Sequence, residues 1–160
     1  MTSTGIPKAG EKTPLFNAKD TQGNNVGLQN FKGRKIVLYF YPKDMTSGCT
    51  VEACAFRDAH AQILESGAVV LGVSPDSADS HKKFSEKHDL TFPLLVDKDL
   101  ALCKAFGAWG EKSMYGRKYF GVLRTTFIID TRGRIARVFE KVKPEGHALE
   151  VLAALKEVQP

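Results

Sequence analysis

Apolar residues along the chain fall into short blocks separated by polar turns, and the spacing within each block predicts an element. Leu15 and Phe16, the turn-forming stretch Asp20-Thr-Gln-Gly-Asn-Asn25, and the alternation of Val26 and Leu28 with small or polar neighbours predict a small N-terminal hairpin. Ile36-Val-Leu-Tyr-Phe-Tyr41 is a continuous apolar run, the pattern of a strand buried on both faces, and Pro42 ends it. Thr46 and Ser47 suit a helix N-terminus, and Val51, Ala55, Ala59 and Ile63 recur every four residues as one helical stripe. Ala68-Val-Val-Leu-Gly-Val-Ser74 is a second buried strand. A polar helix from Asp76 or Ser77 to about Asp89 follows, then the short strand Phe92-Pro-Leu-Leu-Val96 and a short helix capped by Asp99 and ended by Gly107. Residues 108–122, with Trp109, Tyr115 and Tyr119 among glycines, read as an irregular loop. Thr125-Thr-Phe-Ile-Ile-Asp130 and Ile135-Ala-Arg-Val-Phe139 are two strands joined by a tight turn at Gly133. A last helix over about 145–158 places Leu149, Leu152 and Leu155 on one face.

The order is a β-hairpin followed by β-α-β-α-β-α-β-β-α. Alternating strands and helices imply an α/β fold with helices on both faces of one sheet, and the final antiparallel hairpin makes that sheet mixed. The ordering suits a thioredoxin-like architecture. A chain of 160 residues is read as a single domain over 1–160, long enough to bury roughly 70% of its unfolded surface. No apolar run approaches the ~20 residues of a membrane span, and the N-terminal stretch has no apolar core of the secretory kind. The net charge of +5 does not point to nucleic acid: basic and acidic residues are interleaved, as in Asp79-Ser-His-Lys-Lys-Phe-Ser-Glu-Lys-His-Asp89, without a basic stripe carrying stacking aromatics.

The three cysteines, at 49, 54 and 103, are too few and too odd for a secreted disulfide scaffold, so a cytoplasmic location is expected. Cys49 is the candidate reactive group. A helix beginning near Ser47 puts it in the first turn, where unpaired N–H groups and the helix dipole favour an anion, and the thiolate is the nucleophilic form of cysteine. In an intact helix Cys54 stands about 8.7 Å from Cys49 at Cα, from a 1.5 Å rise and 100° per residue. A disulfide needs roughly 4.4–6.8 Å. Either the two never bond, or the first turns unwind when they do, which the small residues Ser47, Gly48 and Ala53 would ease. Zinc fits poorly, because there is no second cysteine pair, and His60, His81, His88 and His147 are scattered and read as surface or helix residues. Cys103, among Leu102, Ala105 and Phe106, reads as core.

The sequence resembles the peroxiredoxins, in the bacterioferritin-comigratory-protein (peroxiredoxin Q) branch. The family motif Pro-x-x-x-Thr-x-x-Cys stands as Pro42, Thr46 and Cys49, and Arg-x-Thr-Phe-x-Ile-Asp as Arg124, Thr126, Phe127, Ile129 and Asp130. Phe106-Gly-Ala-Trp-Gly-Glu-Lys112 is similar to a further family stretch. The resemblance implies that Cys49 attacks a hydroperoxide to give a sulfenic acid, that Thr46 holds the peroxide and Pro42 shields the sulfenic acid, and that Arg124 stabilises the thiolate and the leaving oxygen. Glu52, one turn after Cys49 on the same helix face, would then hold Arg124 by a salt bridge. Cys54 resembles the resolving cysteine of one subgroup. The resemblance further implies recycling by thioredoxin or a similar dithiol, no cofactor, no metal, and a monomer. Ser47 stands where the family commonly has proline. Two other functions compete: a disulfide exchanger acting without peroxide, disfavoured by the missing Cys-x-x-Cys, and a non-enzymatic zinc-held or basic interaction module.

Overall fold

The computed structural model describes residues 5–158. Its centre is a seven-stranded mixed sheet. The strands are β1 (Asn17–Lys19), β2 (Asn25–Gly27), β3 (Lys35–Phe40), β4 (Ala68–Ser74), β5 (Leu94–Val96), β8 (Thr125–Ile129) and β9 (Ile135–Phe139), in the order β2-β1-β5-β4-β3-β8-β9. Two further strands, β6 (Trp109–Met114) and β7 (Arg117–Val122), form a separate antiparallel pair. β3, β4 and β5 run parallel, and β8 pairs antiparallel with β3, so the last hairpin mixes the sheet as expected. The N-terminal hairpin is present, joined to β5 through β1, while Leu28 belongs to a short 3-10 turn (Leu28–Phe31) rather than a strand. This is the thioredoxin-like fold.

The apolar run of the third strand explains the two-sided core. Side chains alternate across a strand, so Val37 and Tyr39, continued by Tyr41, face one side, and Ile36, Leu38 and Phe40 the other. The first side is covered by α1 (Ser47–Glu65), α2 (Ala78–Lys87) and α4 (His147–Leu155), which bring Phe56, Ile63, Phe84, Val151 and Leu155. The second is covered by α3 (Ala101–Ala105), with Leu102, Cys103 and Phe106 against Phe127 and Leu95. Cys103 is therefore core. Its short helix is held at its start by Asp99, which accepts from Ala101 N–H, and by buried Asp97, which accepts from Leu102 and Cys103 N–H.

Three expectations are corrected. Residues 108–122 are a β-hairpin, not a loop; its turn, Tyr115-Gly116, has positive φ at both residues (53° and 78°), the geometry that lets two strands reverse in register. The buried face of α1 is Cys49, Glu52, Ala53, Phe56, Ala59 and Ile63, with Val51 exposed. A spacing of four residues advances about 40° per step, so the Val51 stripe spirals off the core. On α4, a spacing of three drifts the other way and leaves Leu149 exposed, while Val151, Leu152 and Leu155 are buried.

Candidate active site

The site forms where the C-terminal end of β3 passes through residues 41–46 into α1. Pro42 follows the strand and is half-buried. Thr46 occupies the N-cap position in extended conformation and its carbonyl accepts Thr50 N–H. Its hydroxyl does not cap the helix; it turns back and donates to the Lys43 carbonyl at 2.9 Å. Cys49 lies in the first turn, facing the core and only 1% exposed. A site so enclosed excludes bulk water, which strengthens any charge acting on the sulfur.

That charge comes from the segment between β7 and β8. Arg124 Nη2 donates to Cys49 Sγ at 3.0 Å, and its Nη1 donates to Glu52 Oε1 at 2.9 Å. One planar guanidinium thus spans both residues, a geometry a single ammonium cannot copy. Gly48 makes room for this arrangement: a Cβ there would lie 2.9 Å from Arg124 Nη2. Glu52 is buried, and its Oε2 has no hydrogen-bond partner among the described residues. Burial pushes its carboxyl up to about 7, with Arg124 pulling the other way. The buried Tyr39 hydroxyl, also without a hydrogen-bond partner among the described residues, is pushed up by burial and by the neighbouring Glu52 and Cys49 charges.

The β6–β7 hairpin supplies a second cation. Lys112 Nζ donates to the Val122 carbonyl at 2.8 Å, and burial, then Arg124, pushes this ammonium down while Cys49 offsets them. Reading 108–122 as a loop hid Lys112; the alternation Trp109, Glu111, Ser113 against Gly110, Lys112, Met114 is too weakly amphipathic to declare a strand.

The structure therefore joins Cys49, Arg124 and Glu52 by direct contact and brings Thr46 and Pro42 to the same loop. Cys54 is half-buried on α1, about 140° around the helix from Cys49 at 100° per residue. The helix is intact across both, and all three cysteines are free thiols. Of the histidines read as surface or helix residues, His81 and His147 stand on helices, α2 and α4, and are buried, His147 against Thr126 and Glu150. One ligand atom each of His81, Asp44 and Asp76 lies within 4.8 Å of the other two, close enough for the three to share a metal ion. Both nitrogens of His81 and both oxygens of Asp44 are engaged by protein partners.

A thiol at a helix start in a thioredoxin-like fold, gripped by an arginine from the facing strand connection, defines the class as a thioredoxin-fold thiol protein. The sequence profile of the AhpC/TSA family matches residues 9–138. The chain is 50% identical over 149 residues to the peroxiredoxin Bcp of Bacillus subtilis, covering 93% of this chain and 95% of that one. It is 45% identical over 150 residues to the Bcp of Escherichia coli K12, covering 94% and 96%. Xanthomonas campestris peroxiredoxin Q superposes with a TM-score of 0.87 at 40% identity, over 93% of this chain and 97% of that chain. The chain belongs to the AhpC/TSA family, in the bacterioferritin-comigratory-protein (peroxiredoxin Q) branch of the peroxiredoxins.

Proposed function

We propose that the protein is a thiol-dependent peroxidase acting on hydrogen peroxide and organic hydroperoxides. The observation that carries this is the Arg124 guanidinium bonded at once to Cys49 Sγ and Glu52. The thiolate attacks the terminal peroxide oxygen, forming an S–O bond as the O–O bond breaks. Cys49 is oxidised to the sulfenic acid, and the departing alkoxide or hydroxide takes a proton and leaves as alcohol or water. Arg124 faces the charge moving from sulfur to the leaving oxygen, and the Thr46 hydroxyl orients the peroxide while Pro42 limits access of water. Glu52 fixes Arg124. An organic substrate is supported by the related Xanthomonas campestris bacterioferritin comigratory protein, described for its alkyl peroxide reduction activity (TM-score 0.87, 40% identity).

Resolution follows from Cys54. Its thiol attacks the Cys49 sulfenic sulfur, forming the disulfide and releasing water. The estimated Cα separation of about 8.7 Å in the helix exceeds disulfide range, so the first turns of α1 unwind in this step. A dithiol of the thioredoxin type then reduces the disulfide to two thiols and is itself oxidised. In this reading the protein works as a single thioredoxin-like domain, monomeric and cytoplasmic. The test is a thioredoxin-coupled peroxide assay on wild type, Cys49→Ser, Cys54→Ser and Cys103→Ser. Cys49→Ser is expected to abolish turnover, Cys54→Ser to stop recycling, and Cys103→Ser to leave the rate unchanged. Turnover retained by Cys49→Ser would overturn the assignment, and a disulfide mapped to Cys103 would overturn the role of Cys54.

A further inference from the structure

The 41–46 segment is tied down by a polar cluster that the peroxidase chemistry does not use. Asp44 is buried, and three groups converge on its carboxylate: the Tyr41 hydroxyl at 2.6 Å, the Ser80 hydroxyl at 2.8 Å and His81 Nδ1 at 2.7 Å. Its own N–H donates to Asp76 Oδ2 at 2.6 Å, and Asp76 in turn takes a bond from the Ser74 hydroxyl at the end of β4. His81 is 0% exposed, and its Nε2 lies 2.9 Å from the Leu95 carbonyl. A carbonyl only accepts, so Nε2 carries a hydrogen. Nδ1, on the other side of the ring, lies 2.7 Å from Asp44 Oδ2. These contacts make a buried, hydrogen-bonded His81–Asp44 pair that links the loop before Cys49 to α2 and β5. Removing one partner leaves a buried polar atom of the other without its hydrogen bond.

The pair sits next to the segment that must rearrange. Asp44 precedes the first helical residue, Ser47, by three positions, and Cys49 by five. No side chain caps the α1 start, and the Thr46 hydroxyl bonds back to Lys43 within the same loop, while Arg124 grips Cys49 and Glu52 from the β8 side. The fixed point on the N-terminal side of the unwinding turns is therefore Asp44.

We propose that His81 is a positioning residue for Cys49: with Asp44 it forms a latch that holds the 42–46 loop and the α1 start in the peroxide-reducing arrangement and yields when the Cys49–Cys54 disulfide forms. The role in resolution rests on the peroxidase reading above. Loosening the latch therefore moves two steps in opposite directions. Oxidation of Cys49 slows because the loop that holds the peroxide is less often in place. Disulfide formation from the sulfenic acid quickens because the helix start opens more often. A merely structural residue would slow both together.

The experiment uses His81→Asn, which keeps a donor toward Asp44, His81→Phe, which fills the space with none, and Ser80→Ala, a mild change at a half-buried position. Acid-quenched single turnovers with hydrogen peroxide, followed by alkylation and mass mapping, give the two rates. His81→Phe is expected to slow Cys49 oxidation about tenfold and to speed disulfide formation by a similar factor, with His81→Asn intermediate. Ser80→Ala shifts both in the same senses by less. Both steps slowing together, or neither moving, overturns the latch. Hydrogen exchange on the reduced proteins needs no peroxidase activity, so it separates failure of the latch from failure of the peroxidase reading. Exchange over residues 47–53 is expected to quicken in all three variants relative to residues 58–64, and unchanged exchange there overturns the proposal.

Discussion

Replacing Glu52 with glutamine is expected to raise stability and lower activity together. The side chain is buried beneath Arg124, and burial pushes its carboxyl from the ordinary 4.5 up to about 7, against the pull of Arg124. Between those two pH values the folded protein holds a proton that the unfolded chain has released. The contribution of this group to stability is therefore fully present below about pH 4.5, declines as pH rises, and is gone above about pH 7. Each pH unit between the two values is worth about 1.4 kcal/mol, so the ionised carboxylate costs about 3 kcal/mol at pH 8. Glutamine has the shape of the protonated acid and keeps an acceptor for Arg124 Nη1. Urea unfolding of reduced Glu52→Gln should show it more stable than wild type at pH 8, by up to about 3 kcal/mol, with the difference shrinking to little at pH 4.5. The same variant should reduce peroxide about tenfold more slowly, because Arg124 has lost the anion that orients it. A Glu52→Gln protein less stable than wild type at pH 8 would refute the reasoning, since the ion pair would then be a net stabiliser and Glu52 an ordinary carboxylate.

Arg124→Lys leaves one ammonium where two N–H groups reach separate partners, so a charged hydrogen bond is lost. That costs about 1.5–3 kcal/mol, or about 10- to 150-fold in the second-order rate of Cys49 oxidation, and an unchanged rate under excess peroxide would contradict it. Gly48→Ala places a Cβ 2.9 Å from Arg124 Nη2 and is expected to lower the same rate about tenfold without loss of thermal stability; wild-type rates would show that the guanidinium has slack. Burial, with Asp97 adding, pushes the Cys103 thiol well up, so iodoacetamide at pH 8 should label half-buried Cys54 while Cys103 stays free. Labelling of Cys103 as fast as Cys54 would contradict its place in the core.

Much of this was legible before any coordinates, for reasons that differ by element. The central strands announce themselves because a strand buried on both faces needs an unbroken apolar run, as at 36–41 and 68–73. The start of α1, and with it Cys49, was legible from local chemistry at Pro42, Thr46 and Ser47. The Arg124–Cys49 contact was not: the two residues lie 75 positions apart, and only the family motif joined them. The β6–β7 hairpin escaped because it buries little on either face, so its sequence lacks the contrast from which a strand is read, and Tyr115-Gly116 is a weaker turn signal than Asn-Gly. The Asp44–His81 pair escaped for a related reason. Both residues sit in polar stretches, and their burial arises only when α2 folds over the loop.

The central claim is that Cys49 is the sulfur that takes the peroxide oxygen. Its most direct test is sulfenic-acid trapping on Cys54→Ser protein, where the oxidised species has no neighbouring thiol to consume it. The protein is treated with a single equivalent of hydrogen peroxide in the presence of dimedone, and the peptides are mapped by mass. The account predicts a dimedone adduct on Cys49 and none on Cys103. An adduct on Cys103, or peroxide consumed with Cys49 still a free thiol, would contradict it.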